Sequence, residues 1–307
     1  MNRIIVTGLN FTEHALCAVM IEYHRNRLTI LAIQQFKFAI DIFADNDALN
    51  HQEIVNKLLK VKNSQPLFRH RVAVAIPEAA VMTKTIPTDK RLPFEQQCLT
   101  ALHQFASGAP LPVQQLALDY QPCEQGVMVY AAKKEAIEKR CQWVKKAGMR
   151  TVLVDSEKQA FLRLLLAAQS VLSSPVRILL ELTSSAMTLG FITDSEQFYR
   201  HLPFSQEEVD NSEILAVITR RLTSELERIR ALNSFTDCAG IWLINHLEHD
   251  DLITRIADVT GLDVQNYPFS AVFTAKRSWQ AKSLLSCANA CAIALRGIDA
   301  LRNDYAA

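Results

Sequence analysis

Two short stretches contain the small and polar residues that a phosphate-binding loop requires. Thr7-Gly8-Leu9-Asn10 and Thr183-Ser184-Ser185 offer glycine, hydroxyl and amide groups, and backbone N–H groups beside small residues can approach an anion closely. Neither stretch matches the P-loop or the glycine pattern of dinucleotide-binding folds. Hairpin turns use the same residue types, so the sequence leaves a phosphate site and an ordinary turn open at both positions.

Other residues that could bind a metal or act as a nucleophile lack the neighbours that such a site needs. Cys287 and Cys291 are one helical turn apart, but no His or acid in the adjacent sequence completes a metal-ligand set. His246 and His249 are three residues apart and do not form the HExxH pattern. No serine or cysteine lies in a nucleophile motif. We therefore expect packed thiols, a surface turn, no metal site and no catalytic nucleophile.

A repeated pattern of strands must position these residues. Alternating apolar residues predict an antiparallel meander at the start of the chain and a second one after the break at Ser173-Ser174-Pro175. The predicted strands are Arg3–Leu9, His14–Tyr23 and Arg27–Phe36 in the first meander, and Val176–Leu182, Ala186–Ile192 and Gln197–Leu202 in the second. The repeat indicates two similar α/β lobes.

Helical periodicity and continuous apolar runs predict the remaining elements. The segment from Val81 to Gly148 has its own strands and helices and reads as a small α/β insert in the first lobe. Ser156 and Gln159 have capping-box spacing at the start of a helix that follows it. The predicted helices are Ala48–Lys62, Phe94–Ser107, Lys134–Ala147, Ser156–Leu172, Glu207–Leu232, Asp251–Thr260 and Gln280–Leu301, and Val72–Ile76 is a strand covered on both faces.

Composition excludes several classes of protein. The 307 residues carry 33 basic and 32 acidic side chains, so no overall field attracts nucleic acid or an anionic membrane. The seven cysteines lack a disulfide framework spacing and are expected to be reduced thiols in the cytosol. No apolar run is long enough to cross a membrane. Short basic clusters at Arg69-His70-Arg71, Lys133-Lys134 and Lys145-Lys146 are typical of a solvated face, with a contact surface for an acidic partner as the alternative.

The order of several short motifs resembles the PilM family of actin-like proteins, which belongs to type IV pilus and related DNA-uptake machines. Each motif is weak alone, but they follow the family order over nearly the whole chain. The matching segments are Arg71–Pro77, Val81–Pro87, Leu116–Tyr120, Val129–Glu135, Lys146–Met149 with Val154-Asp155, and Ala288–Gly297.

The resemblance implies an α/β chain with the actin-like ATPase fold, in which two RNase H-like lobes carry a small FtsA-type α/β insert in the first lobe. We expect residues 1–77 and 149–175 to form the first lobe and residues 78–148 to form the insert. Residues 176–270 would form the second lobe, and residues 271–307 would return to the first lobe as a C-terminal helix.

Family members with an intact site hold magnesium nucleotide on two acid- and glycine-bearing turns, with a Gly-Gly turn beside the adenosine. The first turn aligns with Thr7, Gly8 and Asn10, and the second aligns with Glu181, Thr183 and Ser184. The Gly-Gly turn aligns with Asn245-His246. With most acids and glycines replaced, we expect weak or absent ATP binding, no cofactor and no enzymatic activity.

The alternative is a working actin-like ATPase in which Glu181 replaces the usual Asp as the acid on the metal side. A sugar kinase of the same superfold is disfavoured, because it would need a catalytic Asp in the first lobe and a glycine-rich second phosphate loop.

The resemblance also implies partners and a location. Family members lie in the cytoplasm under the inner membrane and bind the cytoplasmic tail of a bitopic PilN-like protein. We expect a scaffold that holds such a tail between the insert and the first lobe by strand addition, with Lys84 meeting the tail. An assembly ATPase and self-association are further candidate contacts, whereas nucleic acid is not expected. The sequence leaves pilus assembly, competence with DNA uptake, and secretion open.

Overall fold

The computed structural model describes residues 3–12, 15–38, 47–65, 70–173, 175–193, 197–205, 214–231, 238–247, 249, 251–275 and 281–304. Four predicted boundaries, His14, Glu207, Leu232 and Gln280, lie outside these ranges, as do Ser174 of the break and Arg69 of the first basic cluster. Within them the strands are β1 Ile4–Phe11, β2 Ala15–His24, β3 Arg27–Lys37, β4 Arg71–Ile76, β5 Val81–Pro87, β6 Leu116–Cys123, β7 Gly126–Lys133, β8 Arg150–Ser156, β9 Ile178–Leu182, β10 Ala186–Ile192, β11 Gln197–Pro203, β12 Ile241–Asn245, β13 Val264–Asn266 and β14 Thr274–Ala275. The helices are α1 Asp47–Asn63, α2 Phe94–Ser107, α3 Lys134–Lys146, α4 Glu157–Leu172, α5 Ile214–Ala231, α6 Leu252–Thr260, α7 Phe269–Val272, α8 Ala281–Leu285 and α9 Ala288–Asp304.

The first lobe is built on a six-stranded sheet of order β14-β3-β2-β1-β4-β8. β1, β2 and β3 form the predicted antiparallel meander, and β4 pairs in parallel with β1 and β8. Val72 to Ile76 are all buried, which confirms the prediction of a strand covered on both faces. Parallel pairing places the carboxyl ends of β1, β4 and β8 at one edge of this sheet.

The second lobe repeats this arrangement with a five-stranded sheet of order β11-β10-β9-β12-β13. β9, β10 and β11 form the second antiparallel meander, and β12 pairs in parallel with β9 and β13. The prediction of two meanders is therefore confirmed. The short elements β13, α7 and β14 were not predicted, since two to four residues are too few to show a period.

The insert sheet has the order β5-β7-β6, and α2 packs on it around Ile86, Phe105 and Val127. The predicted insert, residues 78–148, does not pack as one unit. α3 contributes Trp143 to a different core, where its ring lies 5.7 Å from that of Phe11 in β1. α3 therefore packs on the first sheet beside α1, while α2 and the three strands have a separate core.

Two helices connect the lobes and pack against each other. Ser156 caps α4, because its hydroxyl accepts a hydrogen bond from the Gln159 N–H at 3.2 Å, as its spacing predicted. The single helix predicted over Gln280–Leu301 is instead α8 and α9, separated at Ser286-Cys287. α9 lies on β1, β2, β4 and β8 and also contacts α4.

Candidate functional site

The first predicted phosphate loop lies inside β1 and forms no loop. Thr7 is 1% exposed, and its hydroxyl accepts a hydrogen bond from Gln65 Nε2 at 2.8 Å. Gly8 faces α9, where a Cβ on this residue would lie 2.0 Å from the carbonyl oxygen of Ala290. The prediction that Thr7 and Gly8 form a turn is therefore wrong, because this glycine serves the close approach of a helix to the strand.

The turn after β1 begins at Thr12 and has the same hydrogen bonds as the turn after β9. The N–H of Thr12 donates to the carbonyl of Ala15 at 2.9 Å, and its hydroxyl accepts from the Ala15 N–H at 3.1 Å. Thr183 makes the same two bonds with Ala186 at 3.0 and 2.9 Å. The two hairpins are therefore structural repeats of each other.

This repeat identifies Asn10 as the counterpart of Glu181, since each residue stands two positions before the turn threonine. The resemblance had aligned the acid of the first turn with Thr7, three residues earlier. Asn10 is 6% exposed, and its Oδ1 makes no hydrogen bond with a described residue. A neutral amide at this position does not supply the carboxylate that a magnesium ion prefers.

Glu181 lies on β9 in the cleft between the lobes, and its carboxylate is already hydrogen bonded. It is 5% exposed, with Oε1 at 2.9 Å from His246 Nε2 and Oε2 at 3.5 Å from Asn289 Nδ2. His246 stands where the resemblance places a glycine of the Gly-Gly turn, and Asn289 comes from α9. Two of the departures seen in the sequence thus contact each other in the structure. Ser184 is exposed at the hairpin turn beside them.

Further carboxyl groups lie close enough to Glu181 to interact with it electrostatically. Burial, followed by the charges of Glu181 and Glu78, raises the pKa of Glu157 to about 7, against the opposing effect of Arg140. Burial also raises the pKa of Glu78, and burial with all three carboxylates raises the pKa of Tyr199. The described ranges contain no group of three or more His, Cys, Asp or Glu side chains placed to hold a metal ion. The residues present do not fit a magnesium nucleotide.

A cavity of about 460 Å³ lies between the insert and the first lobe, which we call the insert cavity. One wall is formed by five consecutive residues of β6, Ala117–Gln121, and by Tyr130–Ala132 of β7. β6 is an edge strand of its sheet. An edge strand leaves backbone N–H and C=O groups without partners in the sheet, so this wall can accept another strand.

The other wall of the insert cavity carries a polar cluster. Arg296 of α9 donates to Asp155 at the end of β8 at 2.7 Å, and Gln159 Nε2 donates to the Tyr130 hydroxyl at 3.2 Å. Burial, with the nearby charge of Asp155 as the next cause, raises the pKa of Tyr130 to about 12. Tyr130 therefore stays a neutral hydrogen-bonding group, and the cavity combines polar groups with an open strand edge.

Lys84 does not line the insert cavity. It is an exposed residue of β5, which lies on the opposite edge of the insert sheet from β6. A Cβ on Gly108 would lie 3.5 Å from its Nζ. The structure therefore places Lys84 away from the groove in which we expected it to meet a tail. The alternation of exposed residues along the sequence could not show which edge of the insert sheet carries Lys84, because the place of a strand in a sheet depends on the strand order.

Within the described residues, no helix is both long and apolar enough to span a membrane.

No curated protein sequence matches the chain. Among solved structures, the PilM-PilN type IV pilus biogenesis complex matches with a TM-score of 0.72 and 18% identity, covering 95% of this chain and 98% of that chain. The predicted actin-like α/β fold is thereby confirmed.

Two further structures match less closely. The cytoplasmic domain of EpsL, an inner membrane component of the Vibrio cholerae type II secretion system, has a TM-score of 0.46 and 8% identity, covering 94% of both chains. A Bacteroides thetaiotaomicron protein with an actin-like ATPase fold has a TM-score of 0.47 and 11% identity, covering 92% of this chain and 96% of its own. A sequence model of the family described as type IV pilus assembly protein PilM matches residues 8–220, well over half of the chain. The chain therefore belongs to the type IV pilus assembly protein PilM family.

Proposed function

We propose that this protein is a scaffold of type IV pilus assembly that holds the cytoplasmic tail of a PilN-like membrane protein in the insert cavity. The observation that carries the proposal is the open edge of β6 along that cavity. An extended tail adds to this edge as a fourth strand, so that main-chain hydrogen bonds supply affinity. The name of the structurally similar PilM-PilN complex supports a partner of this kind.

The polar cluster of the insert cavity supplies selectivity for the tail in this proposal. The ion pair between Asp155 and Arg296 satisfies both charged groups before the tail arrives, and Gln159 with Tyr130 offers neutral donors and acceptors. Alternate side chains of an added strand would point toward this wall and away from it. The protein would then lie in the cytoplasm and reach the inner membrane through its partner.

The proposal is tested by measuring the affinity of a synthetic tail peptide from the PilN-like protein of the same genome. Ala117→Trp places a large ring on the β6 wall and is expected to weaken binding by at least about tenfold. Thr83→Trp puts the same ring on the opposite edge strand, β5, and Lys84→Glu reverses a charge there. Both controls should leave the affinity unchanged. Weakening by Thr83→Trp alone would place the tail on β5 and contradict the proposal.

We further propose that the scaffold works without ATP hydrolysis. Asn10 replaces a carboxylate, and Glu181 is already hydrogen bonded to His246. The purified chain should therefore show no magnesium-dependent ATP turnover above the rate of Glu181→Gln. Turnover that is abolished by Glu181→Gln would instead establish the ATPase alternative.

A further inference from the structure

Basic residues from two segments about eighty residues apart in sequence lie side by side at the edge of the first sheet where β4 and β8 begin. Arg71 begins β4, Arg150 begins β8, and the two residues are partners in the parallel register. The Arg150 N–H donates to the carbonyl of His70 at 2.8 Å. Lys145 lies one turn away on the same chain segment, since its carbonyl accepts from the Gly148 N–H at 2.9 Å.

The end of α1 adds further positive charge at this place. A Cβ on Gly148 would lie 2.5 Å from Lys62 Nζ, so the Lys62 ammonium reaches the loop between α3 and β8. Burial and the charge of Lys62 both lower the pKa of His70. Lys60 stands in the same last turn of α1 and is exposed. Three chain segments thus bring their cations to one location.

The neighbouring hairpin continues the positive surface along the same edge. β1 and β4 run in parallel, so the β2–β3 turn beside the start of β1 lies at the edge where β4 begins. Arg25 and Arg27 are exposed at this turn, and the Arg302 guanidinium stacks over the Tyr23 ring at 4.6 Å. Charge is therefore segregated in a chain whose formal net charge is only +1.

Within the described ranges, opposite charge at this edge is sparse. The carboxylate of Glu22 is paired with Arg3. Lys62, Lys145 and Arg150 form no ion pair with any acid of the described ranges. Cations that are not neutralised by the protein itself attract anions from outside, and several of them along one surface attract an extended array of anions. We call this surface the basic edge; it comprises Arg25, Arg27, Lys60, Lys62, Lys145, Arg150 and Arg302.

We propose that the basic edge binds the anionic headgroups of a phospholipid bilayer. The inference rests on the proposed function, because the tail of a membrane-anchored partner would bring the protein to a bilayer surface. β4 has six residues, so the basic edge and the insert cavity at its other end are about 20 Å apart. An extended tail of about six residues spans that distance. The protein can therefore rest on headgroups while the tail fills the cavity.

Vesicle sedimentation tests this inference with the full chain and no partner present. The chain should bind phosphatidylcholine vesicles that contain about one third phosphatidylglycerol, bind pure phosphatidylcholine at least about fivefold less, and dissociate at about 0.5 M NaCl. The triple variant Lys62→Glu, Lys145→Glu and Arg150→Glu should weaken partitioning by at least about tenfold.

The matched control is Lys84→Glu, Lys90→Glu and Arg220→Glu, which changes the charge equally at exposed positions of the insert and of α5. It should bind vesicles like the original chain. If the basic-edge triple variant fails to fold, the corresponding Gln substitutions and the comparison of the two vesicle types replace it. Equal loss in both triple variants, or no preference for phosphatidylglycerol, would overturn the inference.

Binding assays with duplex DNA and with the tail peptide distinguish the lipid inference from a nucleic-acid site and from the proposed function. Binding of duplex DNA through the basic edge, without binding to phosphatidylglycerol vesicles, would overturn the lipid inference. Tail affinity is measured in solution without vesicles. Intact tail binding with no lipid binding refutes only the basic edge, whereas lipid binding without tail binding refutes only the proposed function.

Discussion

The carboxyl group of Glu157 makes stability depend on pH in an unusual direction. Burial and the charges of Glu181 and Glu78 raise its pKa to about 7 in the folded chain, whereas an unfolded chain has the ordinary value near 4.5. Between these values the folded state holds more protons than the unfolded state, so the free energy of unfolding falls as the pH rises. Above about pH 7 the folded protein bears the full cost of a buried negative charge.

Glu157→Gln removes this charge and should stabilise the protein at high pH. We expect its free energy of unfolding to exceed that of the original chain by about 2 kcal/mol at about pH 8, and the difference to shrink below about 1 kcal/mol at about pH 5. Urea unfolding at the two pH values measures it. Glu135→Gln, an exposed residue in the first turn of α3, is the matched control. A difference that grows toward acid would contradict the assignment.

The same cleft shows how far residue types alone can predict a site. Glu181, Thr183 and His246 were identified from the sequence as departures from a nucleotide site, and the structure brings Glu181 and His246 into contact. The contact could not be predicted, because it joins the ends of two strands that are far apart in the chain. Asn10 was assigned to the site for the wrong reason. The shared threonine-x-x-alanine spacing of the two hairpins, at Thr12 and Thr183, could have placed it correctly.

At the scale of elements, Gly8 decides how closely α9 approaches β1. A Cβ on Gly8 would lie 2.0 Å from the Ala290 carbonyl oxygen and 2.7 Å from the Ala294 nitrogen, both of which are backbone atoms that a rotamer change cannot move. Gly8→Ala should therefore destabilise the protein by about 3 kcal/mol or more, as overpacked cores do.

Denaturant unfolding measures this effect, and Gly108→Ala provides the control. A Cβ on Gly108 would meet only the flexible end of Lys84, at 3.5 Å. That variant should remain within about 1 kcal/mol of the original chain. If Gly8→Ala were equally neutral, the close contact between α9 and β1 would be incorrect.

Elements with a clear period were predicted well, and their packing partners were not. Both meanders, the buried strand β4 and the capped helix α4 follow from alternation, apolar runs and the spacing of Ser156 and Gln159. α3 was assigned to the insert by its place in the chain, but its Trp143 face packs on the first sheet. The periodicity of a helix identifies its apolar face but not the surface that covers it.

At the scale of the whole molecule, α9 connects the cleft with the insert cavity. Asn289 near its start reaches Glu181 of the second lobe, and Arg296 two turns later pairs with Asp155 in the cavity wall. Asp299 pairs with Arg163 of α4 at 2.5 Å. One helix thus contacts both candidate sites, and the two sites should respond differently to their ligands.

Thermal unfolding distinguishes them in one experiment. A tail peptide at about 100 times its dissociation constant adds about 2.7 kcal/mol of stability, which corresponds to a rise of about 5 °C in Tm for a chain of this size. Millimolar Mg-ATP should give no rise, because Asn10 lacks a carboxylate and Glu181 is bonded to His246. Ala117→Trp, which weakens binding at least about tenfold, should reduce the peptide shift to about half or less. A magnesium-dependent rise with ATP that persists in Ala117→Trp and disappears in Glu181→Gln would show that the cleft binds nucleotide, and the ATPase alternative would replace the scaffold.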